Sequence, residues 1–327
     1  VNLVAVIPVA GAGTRLKPHT HTLPKALLAV AGKPILGHIL DQVAAMKPRK
    51  VVLVVAPGPH GDRLREYARS RTDVPVECVV QERPLGLGHA VAQAREAVGT
   101  APSLIVLGDT IIRADLQRLV ADGSRIGVHA VEDARRFGVA VVRDGRIVAL
   151  EEKPERPVTN LAVVGIYYIR NSGLLFRCLE ELIAAGGKTR GEIQLTDALQ
   201  RMIGAGEELR PFEVEGWYDC GKTEALLATN RALLTAQAAP VSRPDVVTLP
   251  PVALDPTADV QYAVIGPHVS IGPGTWIRRA VVRDSIINEG AIVEDILLDG
   301  SVVGDHAVVR GAYQRLNVGD SSEVEIS

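Results

Sequence analysis

The chain has 327 residues, 47% of them apolar but only 3% aromatic, and a formal charge of −2. That length accommodates one large domain with an appendage, or two domains, around a core built from Val, Ala, Leu and Ile. Acids and bases are mixed along the sequence, which argues against a nucleic-acid partner. Cys78, Cys178 and Cys220 are scattered without metal spacing, which fits a reducing cytoplasm. The first apolar stretch is too short for a membrane span and lacks a basic start, so neither a membrane nor an export signal is expected.

In chain order, Leu3–Val9 is an apolar run of strand length, ended by the glycines of Ala10-Gly11-Ala12-Gly13-Thr14-Arg15. Glycines there let backbone N–H groups approach something bulky and anionic. Arg15 and, ten residues on, Pro24-Lys25 add positive charge at the same mouth, which suits a polyphosphate. A dinucleotide fingerprint would need a third glycine where Leu16 stands, and no Gly-Lys-Ser/Thr closes a P-loop. Lys50–Ala56, Val74–Val80 and Ser103–Leu107 read as buried parallel strands. Between them, Ile35, Leu36, Ile39, Leu40, Val43 and Met46 recur at helical spacing, and Ala90–Val98 is a second helix. The alternation predicts a three-layer α/β domain with a Rossmann-like sheet, whose ligands sit outside the strands' carboxyl ends. Gly11 and Asp109 lie at such ends.

From Ile126 to Ile169 the runs shorten, with an Asp144-Gly145 hairpin turn, and helices return at Ser172–Ala185, Leu195–Ala205 and Thr223–Ala236. Five prolines between Pro240 and Pro256 mark a linker. Beyond it, Ile265, Ile271 and Ile277 are six apart, the period of a parallel β-helix, with a faltering register near Arg278–Ser285. The expected division is therefore 1–237, a linker at 238–258, and a β-helix with its tail at 259–327. Flat apolar faces on a short β-helix point to a homo-oligomer.

Asp109, after the run Leu104–Leu107, is placed either to hold Mg²⁺ or to cap a nearby helix. Asp219 in Gly216-Trp217-Tyr218-Asp219-Cys220-Gly221 is a second carboxylate; Mg²⁺ commonly takes one or two, plus substrate phosphates. Gln81 carries a donor and an acceptor that match a pyrimidine imide, and Gly86 lets backbone reach the same base. The same loop reads equally well as a plain polar connection.

The Gly-x-Gly-Thr-Arg-Leu…Pro-Lys pattern resembles the sugar-1-phosphate nucleotidylyltransferases over nearly the whole chain, and is most similar to long-form thymidylyltransferases with a C-terminal repeat. It departs at Ala10, where Gly is frequent, and at His19, where Leu is commoner. The resemblance implies a left-handed β-helix and Mg²⁺-dependent transfer from dTTP to glucose 1-phosphate, with UTP as alternative donor. A nucleotide-sugar-binding regulatory subunit without activity is the reading from another class. Implied roles are catalysis for Arg15 and Lys25, nucleotide binding for Ala10, Gly11, Gly13, Thr14, Gln81 and Gly86, and metal binding for Asp109 and Asp219. Gly138, Glu152, Lys153, Gly165 and Arg190 lie in segments resembling those that hold the hexose and its phosphate. The tail Arg315–Ser327 resembles the closing segment of the long forms. His268 and His306, which could suggest acyl transfer, read as exposed repeat corners.

Overall fold

A computed structural model describes residues 2–236 and 243–312 of the protein; Gln237, Pro240 and the tail Arg315–Ser327 lie outside the described residues. The chain forms two compact units, one of Val1–Leu28 with Lys33–Leu226 and one of Ala29–Gly32 with Leu227–Ser327.

In the first unit, strands β1 (Val4–Pro8), β2 (Lys50–Val55), β3 (Val76–Val80) and β4 (Ser103–Val106) run parallel in the order β4-β1-β2-β3. Val4, Val6, Val52, Val54 and Leu104 are fully buried, as expected of strands covered on both faces. The parallel arrangement puts the loops after Pro8, Val80 and Val106 at one edge. Across β4 the sheet turns antiparallel through Leu161–Ile169, which also pairs with Ser124–Ala130 and Gly138–Arg143. The expected hairpin is present, with Gly138–Arg143 antiparallel to Arg146–Glu152 and Asp144 and Gly145 at φ 48° and 72°. Helices Ile35–Ala45, Ser172–Ala184 and Leu195–Gly204 stand where the periodicity puts them. The helix expected over 90–98 is two pieces, Leu87–Gln93 and Arg95–Val98, meeting at Ala94. Helix Pro59–Arg71 buries only Gly61, Leu64 and Ala68, too thin a stripe to stand out as a period.

The second unit is a left-handed parallel β-helix of three four-stranded sheets. Ile265, Ile271, Ile277, Val282 and Val293 fill its core. Six-residue spacing describes its faces only in part. Successive coils pair 17 residues apart at first (Val246↔Ala263, Val252↔Val269) and 16 apart later (Ser270↔Ile286, Ile286↔Val302). The register expected to falter near Arg278–Ser285 keeps its pairing, since Val281 joins Val264 to Leu297. What changes is one corner: four residues lie between Ile265 and Ser270, but only three between their partners Val282 and Ile286. Arg279 donates to Glu294 and Asp295 of the next coil. The proline-rich stretch carries the first rung, Val246–Thr248 and Val252–Leu254, at the edges of their sheets with Pro250 and Pro251 between them. Edge and corner positions tolerate proline because no ladder N–H is lost there.

Buried Asn230 fastens the unit's polar interior. Its Oδ1 accepts from Ala31 N and Ser270 Oγ, both at 2.8 Å, and its Nδ2 donates to the His268 carbonyl at 3.0 Å. His268 and His306 occupy corners at φ 60° and 55°, and the His306 ring lies over Gly290 where a Cβ would stand. Among the described residues no helix is long and apolar enough to cross a membrane.

Candidate active site

All of the sequence-predicted site residues belong to the first unit. The loop after β1 owes its shape to Gly13, at φ 61°, where a Cβ would lie 3.0 Å from both Lys25 Cβ and Thr20 Cγ2. Thr20, which the sequence reading missed, closes the loop by donating its hydroxyl to the Gly13 carbonyl at 2.8 Å. Gly11 has no such constraint. Nothing lies within 4 Å of the position its Cβ would take, so its bareness leaves exposed backbone and open room. Thr14–Leu16 form a single helical turn that buries Leu16 and leaves Thr14 and Arg15 exposed.

Lys25 and Asp109, 84 positions apart, are joined by a 2.7 Å ion pair in which the lysine is 11% exposed and the carboxylate 40%. Gly108, packed on Val9 with its N–H donating to the Pro8 carbonyl, seats Asp109 against the end of β1. No helix starts at Asp109; the capping role belongs to Asp115, which accepts from Gln117 N and Arg118 N. After Asp109 comes a short strand, Thr110–Arg113, paired antiparallel with Gly216–Asp219 so that Asp219 faces Thr110. Cys220 N–H donates to the Asp109 carbonyl at 3.1 Å. This ribbon brings the two aspartates, far apart in sequence, to adjoining strand ends. A Cβ at Gly221 would lie 2.9 Å from Asp219 Oδ1 and 3.2 Å from Arg15 Nη2, so guanidinium and carboxylate flank one bare glycine.

The donor set is chemically hard: two carboxylates, with the Cys220 thiol buried and directed at the Tyr218 carbonyl. Such a pair suits a small divalent cation that completes its shell with phosphate oxygens and water. Among the described residues no group of three or more His, Cys, Asp or Glu side chains is placed to hold a metal ion.

Gln81 follows β3 and is 6% exposed. Its amide nitrogen faces the Gly86 carbonyl at 3.1 Å and His89 Nδ1 at 3.0 Å. Gly86, at φ 113°, could not carry a side chain: a Cβ would lie 2.7 Å from the Ile193 carbonyl. Backbone bonds from Ile193 N to Leu85 O and from Gly88 N to Ile193 O, both 2.8 Å, lock this loop to the Arg190–Ile193 segment.

On the remaining side, Arg190 Nη2 donates to the Lys153 carbonyl at 2.7 Å, and Lys153 Nζ pairs with Glu152 at 3.1 Å. Thr196, also missed in the sequence, donates to the other Glu152 oxygen at 2.7 Å. A Cβ at Gly138 would stand 3.1 Å from both Glu152 Oε2 and Thr196 Oγ1, so glycine keeps that corner open. Gly165, at φ 87° in a bulge of its strand, sits on Leu107, just before Asp109. Two observations join this side to the aspartates. Trp217 packs edge-on against Phe137 with ring centroids 4.8 Å apart. Burial, and then the charges of Glu152 and Asp109 together, push the pKa of the Tyr167 phenol well above its usual value. The first unit thus sets cations beside carboxylates at two places, Lys25 with Asp109 and Lys153 with Glu152.

A family model described as nucleotidyl transferase matches residues 4–236. The chain belongs to the sugar-1-phosphate nucleotidylyltransferases. It is 32% identical to a glucose-1-phosphate thymidylyltransferase of Streptomyces antibioticus, over 98% of this chain and 99% of that protein. It is 31% identical to the low-salt glycan biosynthesis nucleotidyltransferase Agl11 of Haloferax volcanii, with the same coverage. The crystal structure of a UDP-glucose pyrophosphorylase complexed with UDP-glucose shares the fold, with a TM-score of 0.63 at 23% identity over 71% of this chain and 98% of that one. Membership makes the protein an enzyme of nucleotidyl transfer to a sugar 1-phosphate.

Proposed function

We propose that the enzyme forms dTDP-glucose and pyrophosphate from dTTP and glucose 1-phosphate, with UTP as the alternative donor. The observation that carries this reading is the pairing of Lys25 with Asp109 beside a glycine loop, with Arg15 and Asp219 closing the same mouth. The name of the Streptomyces relative supports the base and the sugar. An oxygen of the sugar phosphate attacks the α-phosphorus in line; the new P–O bond forms as the α–β bridging bond breaks, and pyrophosphate leaves with the electron pair. The attacking group is already ionised at neutral pH, so no protein nucleophile or base is required. Arg15 neutralises the triphosphate and the departing pyrophosphate. Lys25 spans the α-phosphate and the sugar phosphate, while Lys153 and Arg190 hold the latter. Asp109 and Asp219 would hold Mg²⁺, which supplies charge neutralisation between two anionic substrates. Catalysis is then positioning and fixed charge. A single displacement inverts configuration at the α-phosphorus. With a stereochemically defined α-thio-dTTP the product should show inversion, and retention would mean a covalent nucleotidyl-enzyme and overturn this scheme.

We also propose that the enzyme is cytoplasmic and homo-oligomeric, with the second unit supplying the contact. Register pairing stacks Val247, Val264, Val281 and Leu297 in one outward column across four coils. Val247 is 57% exposed and Leu297 62%. Monomers seldom expose a continuous aliphatic ridge of this kind, and a second copy offers the same flat ridge. Replacing Val264 and Leu297 by Asp should lower the particle mass in light scattering; an unchanged mass would remove this role from the column.

A further inference from the structure

His89 stands outside the residues assigned above, yet it touches one of them. We infer that His89 is a positioning residue that sets base selection, by holding the Gln81 carboxamide so that its oxygen alone is free to face the nucleobase.

The inference rests on the proposed role of Gln81 and proceeds from donors and acceptors. A carbonyl only accepts, so the Gln81 atom 3.1 Å from the Gly86 carbonyl must be the amide nitrogen. The same nitrogen lies 3.0 Å from His89 Nδ1. Two donors would repel at that distance, so Nδ1 carries the lone pair and the imidazole is the Nε2–H tautomer. Burial, and then the Arg83 charge, lower the pKa of His89 below its usual value, which favours this neutral form. The Gln93 amide nitrogen donates at 3.2 Å to the backbone carbonyl of His89, and its 3.4 Å approach to Nε2 is long for a hydrogen bond. Both amide hydrogens of Gln81 are thereby spent inside the protein. Gly86 cannot swing away, because it is wedged against Glu192 and Ile193.

What remains is one acceptor, Gln81 Oε1. The sequence alone presented Gln81 as donor and acceptor at once; the fold withdraws the donor. A lone acceptor selects a base whose ring nitrogen N3 carries a hydrogen, as in thymine and uracil. It rejects cytosine, whose N3 is itself an acceptor. Were His89 apolar, one of the two locks would be gone, and the carboxamide could rotate to offer N–H to cytosine.

The test is the ratio of kcat/KM for dTTP to that for CTP, with glucose 1-phosphate and Mg²⁺, in wild type, His89→Leu and His89→Asn. Asn can place its side-chain oxygen where Nδ1 stands and so keep the acceptor. Wild type should favour dTTP by on the order of 10⁴, the scale on which unpaired site polar groups discriminate. His89→Leu should cut the ratio about tenfold or more, the worth of one ordinary hydrogen bond, and His89→Asn should restore most of it. Thermal melting of each variant separates this from loss of fold, which would lower both rates and leave the ratio alone. An unchanged ratio in folded His89→Leu overturns the role of His89. A wild type that uses CTP as readily as dTTP overturns instead the reading of Gln81 on which it rests.

Discussion

Lys25→Ala should lower turnover by at least about 10²–10³, the usual cost of removing one preorganised charge or donor from a transition state. The lysine is nearly enclosed, at 11% exposed, and its ammonium is held 2.7 Å from Asp109, so little reorganisation is needed when charge develops on the transferred phosphate. Loss of the side chain removes that fixed charge and leaves Asp109 facing the substrate phosphates alone. The fold should survive, because Asp109 is 40% exposed and such partly solvated ion pairs contribute about 0–1 kcal/mol to stability. Steady-state pyrophosphate release alongside a melting curve checks both halves. Near-normal turnover in a folded Lys25→Ala protein would remove Lys25 from the reaction.

Purine triphosphates should be used at least about 10⁴-fold less efficiently than dTTP, measured as kcat/KM with a common sugar 1-phosphate. Gly86 and Gly88 are pressed against the backbone of Ile193 and Gln194, which stiffens the loop that carries Gln81. A purine is larger and presents a different edge: adenine's ring nitrogen N1 is an acceptor where thymine offers N3–H to the Gln81 oxygen, and guanine would bring a second ring to a loop that cannot yield. The 5-methyl group of thymine is a weaker signal, worth roughly 1–3 kcal/mol in an apolar pocket. dTTP should therefore lead UTP modestly while both lead ATP and GTP by far. Comparable efficiency with ATP would show that Gln81 does not read the base.

Much of this was legible in the chain. Long apolar runs such as Lys50–Val55 and the glycine loop after Pro8 are local signals, and strand and loop stand where those signals put them. The ribbon joining Thr110–Arg113 to Gly216–Asp219 was not legible, because each strand has only four residues and the pairing is non-local. It is that ribbon that brings Asp219 to Asp109. Thr20, Thr196 and His89 escaped notice for a related reason: each acts by one hydrogen bond to a residue whose position the fold decides. The β-helix was legible by period, yet its change from 17- to 16-residue coils was not, because it comes from one residue fewer in the corner between Val282 and Ile286, a stretch whose residue types do not announce a shorter turn.

In the proposed reaction one site joins a pyrimidine triphosphate to a hexose 1-phosphate. Pyrophosphate release measured with Mg²⁺ across a grid of dTTP, UTP, CTP, ATP and GTP against several sugar 1-phosphates tests it most directly. Release should require both substrates, be greatest with dTTP and glucose 1-phosphate, and remain substantial with UTP. Release that ignores the sugar phosphate, or that is fastest with a purine triphosphate, would contradict it.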